Sequence, residues 1–354
     1  MTDAGIFPIF QRDTTMRPLR PAMALVIAAL TIGAFAPGVA AETVIRVSYG
    51  NQPGEPIDLA VRQWATWVEE ESGGDLVLRP FPASQLGNET EITEQARFGS
   101  AVIGISAYSN FFDVAPDLSV IDAPYIADSF EAKARIFDSD WFQAQSAALV
   151  EQGYRIVVPW VAYGERQLLS NREVRTPEDL RGVRIRVQNS PMYVAALRSM
   201  NAVPTPMSLG DVYPALAQGM IDGVENPIPV LHGGRFEEVV KRLSLTRHMQ
   251  TTAPFVTGEE FWQRLTPEQR RILSETGARM AEYANRLIEE RSEADLERMR
   301  DAGVEVIEVD LAPFRSRARE MIPSAFPQWS DPGLFDRMLE ITSNDPPRPE
   351  EDPS

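Results

Sequence analysis

Thr176-Pro177-Glu178-Asp179-Leu180-Arg181-Gly182-Val183-Arg184-Ile185-Arg186-Val187 carries the reading of the fold. Thr176 is placed to cap a short helix, and Asp179, three residues on, makes a near capping box. Gly182 stops that helix. Val183, Ile185 and Val187 then alternate with Arg184 and Arg186, the period-two pattern of a strand with one face in a core. Upstream, Ile156-Val157-Val158-Pro159-Trp160-Val161 is another apolar strand, so an α/β unit begins near Gly164.

An earlier unit reads the same way. Val44 to Tyr49 is a strand, and Ile57, Val61, Trp64, Trp67 and Val68 recur at helical spacing until Gly73-Gly74. Leu76 to Leu78 and Ala101 to Ile105 are further strands, separated by a helical stretch around Glu91 to Phe98. Strands alternating with helices predict an α/β protein with a mainly parallel sheet. At roughly 150 residues per domain, 354 residues suit about two lobes. Thr266, Pro267 and Gln269 open a long helix that Gly303 stops after Ala302. At 1.5 Å per residue it is roughly 50 Å long, enough to cross both lobes. The proline-rich, acidic residues 345–354 predict a disordered tail.

Composition removes several functions. The chain has no cysteine, which excludes disulfides, thiolate metal sites and cysteine nucleophiles. Acidic residues outnumber basic ones 51 to 34, a net charge of -17 that argues against nucleic acid and anionic membranes as partners. Arg17 and Arg20, the apolar stretch Pro21 to Phe35 and the small residues Val39-Ala40-Ala41 make residues 1–41 an export signal, cut after about Ala41. The apolar core is too short to span a bilayer. Met16 serves as a start as well as Met1 does. Without the signal the chain keeps 49 acidic and 31 basic residues, a net charge of -18.

No phosphate loop, dinucleotide fingerprint, His-Glu-x-x-His or nucleophile elbow is present, and the two histidines, His232 and His248, lack ligand spacing. No cofactor and no imidazole-based metal site are expected, while carboxylate and carbonyl ligands to a metal stay open. Paired carboxylates for hydrolysis stay open, since spacing in sequence says nothing of pairing in space. The arginines say more. With Val183, Ile185 and Val187 on the core face, Arg186 points toward solvent, a cleft or a covering helix. A guanidinium there is a planar fork that clamps a carboxylate by two parallel hydrogen bonds. Arg166, at the end of an apolar strand, is its equal in chemistry.

The stretches Phe81-Pro82-Ala83-Ser84-Gln85-Leu86-Gly87, Gly164 to Arg172, Thr176 to Val187, Pro204-Thr205-Pro206-Met207, Asp211 to Leu216 and Asp222-Gly223-Val224-Glu225-Asn226-Pro227 stand in one order. In that order and spacing they resemble the solute-binding subunit of tripartite ATP-independent periplasmic (TRAP) transporters, over nearly all of the chain after the signal. The resemblance implies a two-lobed periplasmic binding protein fold. It also implies that Arg186 pairs with a ligand carboxylate, assisted by Arg166 and by Asn226. Asp211 and Val224 stand where the family commonly has Glu and Gln. Asn51, Asn88 and Tyr108 are the first lobe's candidates for the rest of the ligand, with a purely structural role open for each.

The expected lobes are 42–163 with about 252–290, and 164–251 with about 291–344. The expected function is capture of an organic acid, a sugar acid or a C4-dicarboxylate, for a TRAP-type membrane permease by a monomer, without covalent chemistry. Asn189 to Tyr193 and Trp160 to Gly164 lean toward sugar acids by similarity. An exported carboxylate-dependent enzyme and a sensory subunit of the same fold are the rivals. The net charge is no obstacle to an anionic ligand, because charges beyond about 8 Å are screened at physiological salt.

Overall fold

The computed structural model describes residues 42–343. The expected export signal and acidic tail lie outside the described residues.

β1 (Thr43–Ser48), α1 (Pro56–Ser72), β2 (Leu76–Phe81), α2 (Glu89–Arg97) and β3 (Val102–Ile105) form the first alternation. β1 lies between β2 and β3 and runs parallel to both. α1 turns Ile57, Val61, Trp64 and Val68 inward, and Gly73 ends it in the left-handed conformation. α3 (Phe130–Phe137) and α4 (Asp140–Glu151) follow, each capped by a serine hydroxyl, Ser129 and Ser139.

β4 (Tyr154–Ser170) organises the molecule. After it come β5 (Arg184–Val187), α5 (Pro191–Ser199), β6 (Val203–Pro206), α6 (Val212–Ala217), β7 (Gly223–Pro227), α7 (Ile228–Gly233), β8 (Arg242–Leu245), β9 (Gln250–Gly258), α8 (Glu259–Arg264), α9 (Pro267–Asp301), β10 (Glu305–Glu308), α10 (Ala312–Ala325) and α11 (Leu334–Thr342). Residues Tyr154 to Glu165 of β4 pair antiparallel with β9. Residues Arg166 to Ser170 pair antiparallel with β7, and Leu168 to Ser170 also with β8. One strand is therefore the edge of β2-β1-β3-β9-β4 and the interior of β10-β8-β4-β7-β5-β6. The expected parallel pairing holds for the outer strands of both sheets. The central pairings of β9 and β7 with β4 are antiparallel.

The change of sheet within β4 has a local cause. Its register against β9 slips at three places between Ile156 and Gly164, and Pro159 has no N–H to give. Gly164 has φ +128°, and a Cβ there would lie 2.5 Å from the Cβ of Pro227. Only glycine lets β7 come this close to the strand at that bend.

Burial falls into clusters that follow this division. One joins β1, α1 and the first part of α9 through Trp64, Phe255, Leu273 and Met280. Another joins β7, α7 and β8 to Met299, near the far end of α9. The capping box of Thr266 and Gln269 is present, and α9 reaches both clusters as its length predicted. The third holds Tyr108, Phe111, Leu118, Ile136 and Phe142 together with Ile185, Val187, Leu197, Phe314 and Met338. Residues 107–149, expected with the first lobe, pack both with Tyr154 of β4 and Val256 of β9 and with β5, α5, α10 and α11. The loop after β1 meets α7, where Glu55 is buried and a Cβ on Gly233 would lie 2.5 Å from its Oε1.

Candidate functional site

Ile185 and Val187 are fully buried on one face of β5, and Arg186 leaves on the other. That side chain is only 3% exposed. Its Nε and Nη2 donate to the carbonyl oxygen of Met207 at 3.0 and 2.7 Å. This fixes one side of the fork and leaves Nη1 and the second N–H of Nη2 as an end-on pair of donors. Among the described residues no carboxylate is in ion-pair contact with Arg186. Burial brings its pKa down to about 10, against the opposing pull of Glu225, so it stays charged at neutral pH. It lines a chamber of about 430 Å³ with Asn88, Glu89, Asn110, Gln188 and Ser208, a volume suited to a small organic molecule.

Arg166 is buried as deeply, but its charge is answered inside the protein. Leu168 of β4 stands opposite Glu225 of β7, which puts Arg166 diagonally across from that carboxylate. Nε and Nη2 of Arg166 donate to the two carboxylate oxygens of Glu225, and Nη2 also donates to its carbonyl at 2.9 Å. Nε2 of His248 lies 3.2 Å from the same carboxylate, and Thr246 holds the other ring nitrogen at 2.8 Å. Burial raises the carboxyl pKa of Glu225, but Arg166 and the His248 hydrogen bond outweigh it and hold the group ionised. The guanidinium also lies over the Tyr193 ring, 5.0 Å from its centre. Only Nη1 of Arg166 has no hydrogen bond among the described residues. A small chamber of about 40 Å³ lies beside it, lined also by Ser106, Tyr163, Tyr193 and Thr252. The Thr252 hydroxyl is buried there without a partner.

The two chambers share Glu89, Asn110 and Gln188 as a common wall. The turn Pro82 to Gly87 sets that wall. Ala83 and Ser84 are left-handed, and their N–H groups donate to Asn51 and Tyr49 carbonyls. Gly87 has φ +129°, and a Cβ there would collide with the Glu91 carboxylate.

The other expected contacts divide. Asn226 is buried on β7, and its amide makes no hydrogen bond among the described residues. Asn88 lines the large chamber while its side chain accepts the Glu91 N–H and Glu91 accepts the Asn88 N–H, a full capping box. Asn51 is buried and occupied, donating to Glu55 at 2.7 Å and accepting from the Tyr163 hydroxyl at 3.3 Å. Tyr108 is fully buried, stacks among Phe137 and Phe142, and donates to the Pro159 carbonyl. Tyr108 and Asn51 line neither chamber. Glu89, Asn110 and Gln188 were not singled out from the sequence, and Glu225 and His248 were named there without a role at the site; Glu89 and Asn110 follow Asn88 and Tyr108 too closely to be distinguished by pattern alone.

Residues 47–328 match the family described as bacterial extracellular solute-binding protein, family 7. The 2,3-diketo-L-gulonate-binding periplasmic protein of Escherichia coli is 30% identical over 314 residues, 87% of this chain and 95% of that one. A TRAP periplasmic solute-binding protein of Actinobacillus succinogenes with bound L-galactonate superposes with a TM-score of 0.83 at 48% identity, over 85% of this chain and 99% of that one. One from Ochrobacterium anthropi with bound L-fuconate gives 0.83 at 40% identity, over 86% and 100%.

Proposed function

The chain belongs to family 7 of the bacterial extracellular solute-binding proteins, and on that premise we propose that it captures a six-carbon aldonic acid of the L-galactonate kind. The observation that carries this reading is Arg186: a buried, charged fork with two donors unused, lining a chamber of about 430 Å³. A carboxylate is the group that fits such a fork. The amide of Asn226 and Nη1 of Arg166 are the further donors assigned to it.

The choice of an aldonate rests on the neighbours with bound L-galactonate and L-fuconate at 48% and 40% identity. L-fuconate is L-galactonate without the terminal hydroxyl, so the two share one configuration. The wall of Glu89, Asn110 and Gln188 offers the hydroxyl-binding groups a polyol chain needs.

In this reading the first lobe carries β1, β2, β3, β9 and the first part of β4. The second carries the rest of β4 with β5, β6, β7, β8 and β10, and takes residues 107–149 with it. Ligand favours a closed arrangement of the two, with the bend in β4 as the hinge. The mature protein is a monomer cut from its signal after about Ala41, acts outside the cytoplasmic membrane and hands its ligand to a TRAP-type permease. No bond is made or broken.

Titration calorimetry of the purified mature chain with L-galactonate tests this. Saturable one-to-one binding is expected, with L-galactonate recovered unchanged. At about 100 times the dissociation constant, ligand adds about 2.7 kcal/mol of stability. Absence of binding to any aldonate would overturn the ligand assignment, and turnover would overturn the assignment as a binding protein.

A further inference from the structure

Among the described residues, Glu89 presents a carboxylate with no partner. It is the first residue of α2, directly after the Asn88 cap. It lies on the wall that both chambers share. Its Oε1 would lie 3.3 Å from a Cβ on Gly50, so Gly50 leaves room for it at the mouth of the small chamber. Among the described residues it makes no ion pair and its side chain makes no hydrogen bond. Its negative charge is felt at Arg186 and at the Tyr163 hydroxyl. The neighbouring wall groups are amides: Asn110 donates to Ser106 at 3.2 Å and keeps its oxygen free, while the Gln188 side chain makes no hydrogen bond among the described residues.

An ionised carboxylate only accepts hydrogen bonds. Set across a cleft from a guanidinium fork, it suits a ligand that is anionic at one end and rich in hydroxyls at the other. Its two oxygens can take both hydroxyl protons of a vicinal diol. A second carboxylate or a phosphate at the far end of the ligand would bring like charges together in a partly dehydrated site, where their repulsion is weakly screened.

We infer that Glu89 is the residue that selects polyhydroxy monoacids over diacids, reading the ligand's hydroxyls and rejecting a second negative charge. This deepens the aldonate assignment and rests on it. On this inference the cleft would accept L-galactonate and its 6-deoxy form alike and reject C4-dicarboxylates, since neither aldonate is charged at the far end.

The test compares L-galactonate with the aldaric acid made by oxidising its terminal carbinol to a carboxylate, and with succinate. Affinities are measured by calorimetry for the wild-type chain and for Glu89→Gln, which keeps shape and removes charge. Wild type should prefer the aldonate over both diacids by at least about 100-fold. In Glu89→Gln the preference over the aldaric acid should shrink at least tenfold, with aldonate affinity weakened severalfold. Melting temperatures without ligand report that the variant is folded, and Glu89→Asp, which restores the charge on a shorter stem, should recover most of the discrimination. An unchanged preference in Glu89→Gln, or a wild type that takes the diacid as readily, overturns the inference while leaving the aldonate assignment standing. A wild type that binds no aldonate overturns both.

Discussion

Arg166 and Arg186 are buried to nearly the same degree, at 1% and 3% exposure, and their surroundings could hardly differ more. Around Arg166 the protein supplies all partners but one: Glu225 takes two sides of the guanidinium, His248 braces Glu225, Tyr193 lies beneath, and only Nη1 is left over. Around Arg186 it supplies one backbone carbonyl and a chamber. Burial alone therefore does not separate a cation paired mainly within the protein from one held open for a ligand. The inventory of unused donors does. A buried ion pair with one donor to spare first holds strands together; a buried cation held on one side only is arranged for something not in the chain.

The largest effect should come from breaking the completed pair. Arg166→Ala leaves Glu225 charged and buried, a change that costs about 3–5 kcal/mol. Chemical denaturation should show that loss with or without ligand; a stability loss below 1 kcal/mol would mean the pair is not the strut described here. Arg186→Met should do the reverse. Ligand affinity falls by the equivalent of about 2–5 kcal/mol. Unliganded stability changes by less than about 1 kcal/mol, because removing a lone buried charge offsets the lost bonds to Met207. Calorimetry and denaturation on one sample separate the two quantities, and a variant that keeps its affinity would end the contrast.

Glu55 sharpens the comparison from the acid side. Among the described residues this buried carboxylate is supported only by the Asn51 amide and the Gln52 N–H, with Asp295 and Asp58 adding negative charge nearby. Burial pushes its pKa up from 4.5 to about 7. Between those values the folded protein holds a proton that the unfolded chain has lost, so stability falls as pH rises through that window. Glu55→Gln removes the penalty. Its melting temperature should draw ahead of wild type between pH 5 and pH 7.5, and parallel curves would show that Glu55 is not the group responsible.

Much of this was legible in the chain. Alternation around Arg186 put it opposite a core face, and the helical stretch around Glu91 to Phe98 is α2, because both signals are local. The partner of Arg166 was not legible. Glu225 stands 59 residues away, and the pair exists only through the register of β4 against β7. Tyr108 was a candidate for ligand contact with a structural role equally open, and its hydroxyl donates to a backbone carbonyl in the core, a destination no sequence pattern announces. The run 107–149 has apolar residues that suit any core, and chain order does not show that it packs with β5, α5, α10 and α11 as well as with Tyr154 of β4 and Val256 of β9.

β4 has one further consequence. Because the same strand is an edge of one sheet and the interior of the other, the two halves of the molecule share a backbone ladder instead of being tethered by a linker. Melting either sheet strips hydrogen bonds from the strand that the other sheet needs. A protein with two lobes is in this way committed to a single cooperative transition, and neither half can be lost, swapped or expressed alone without leaving the other an open strand.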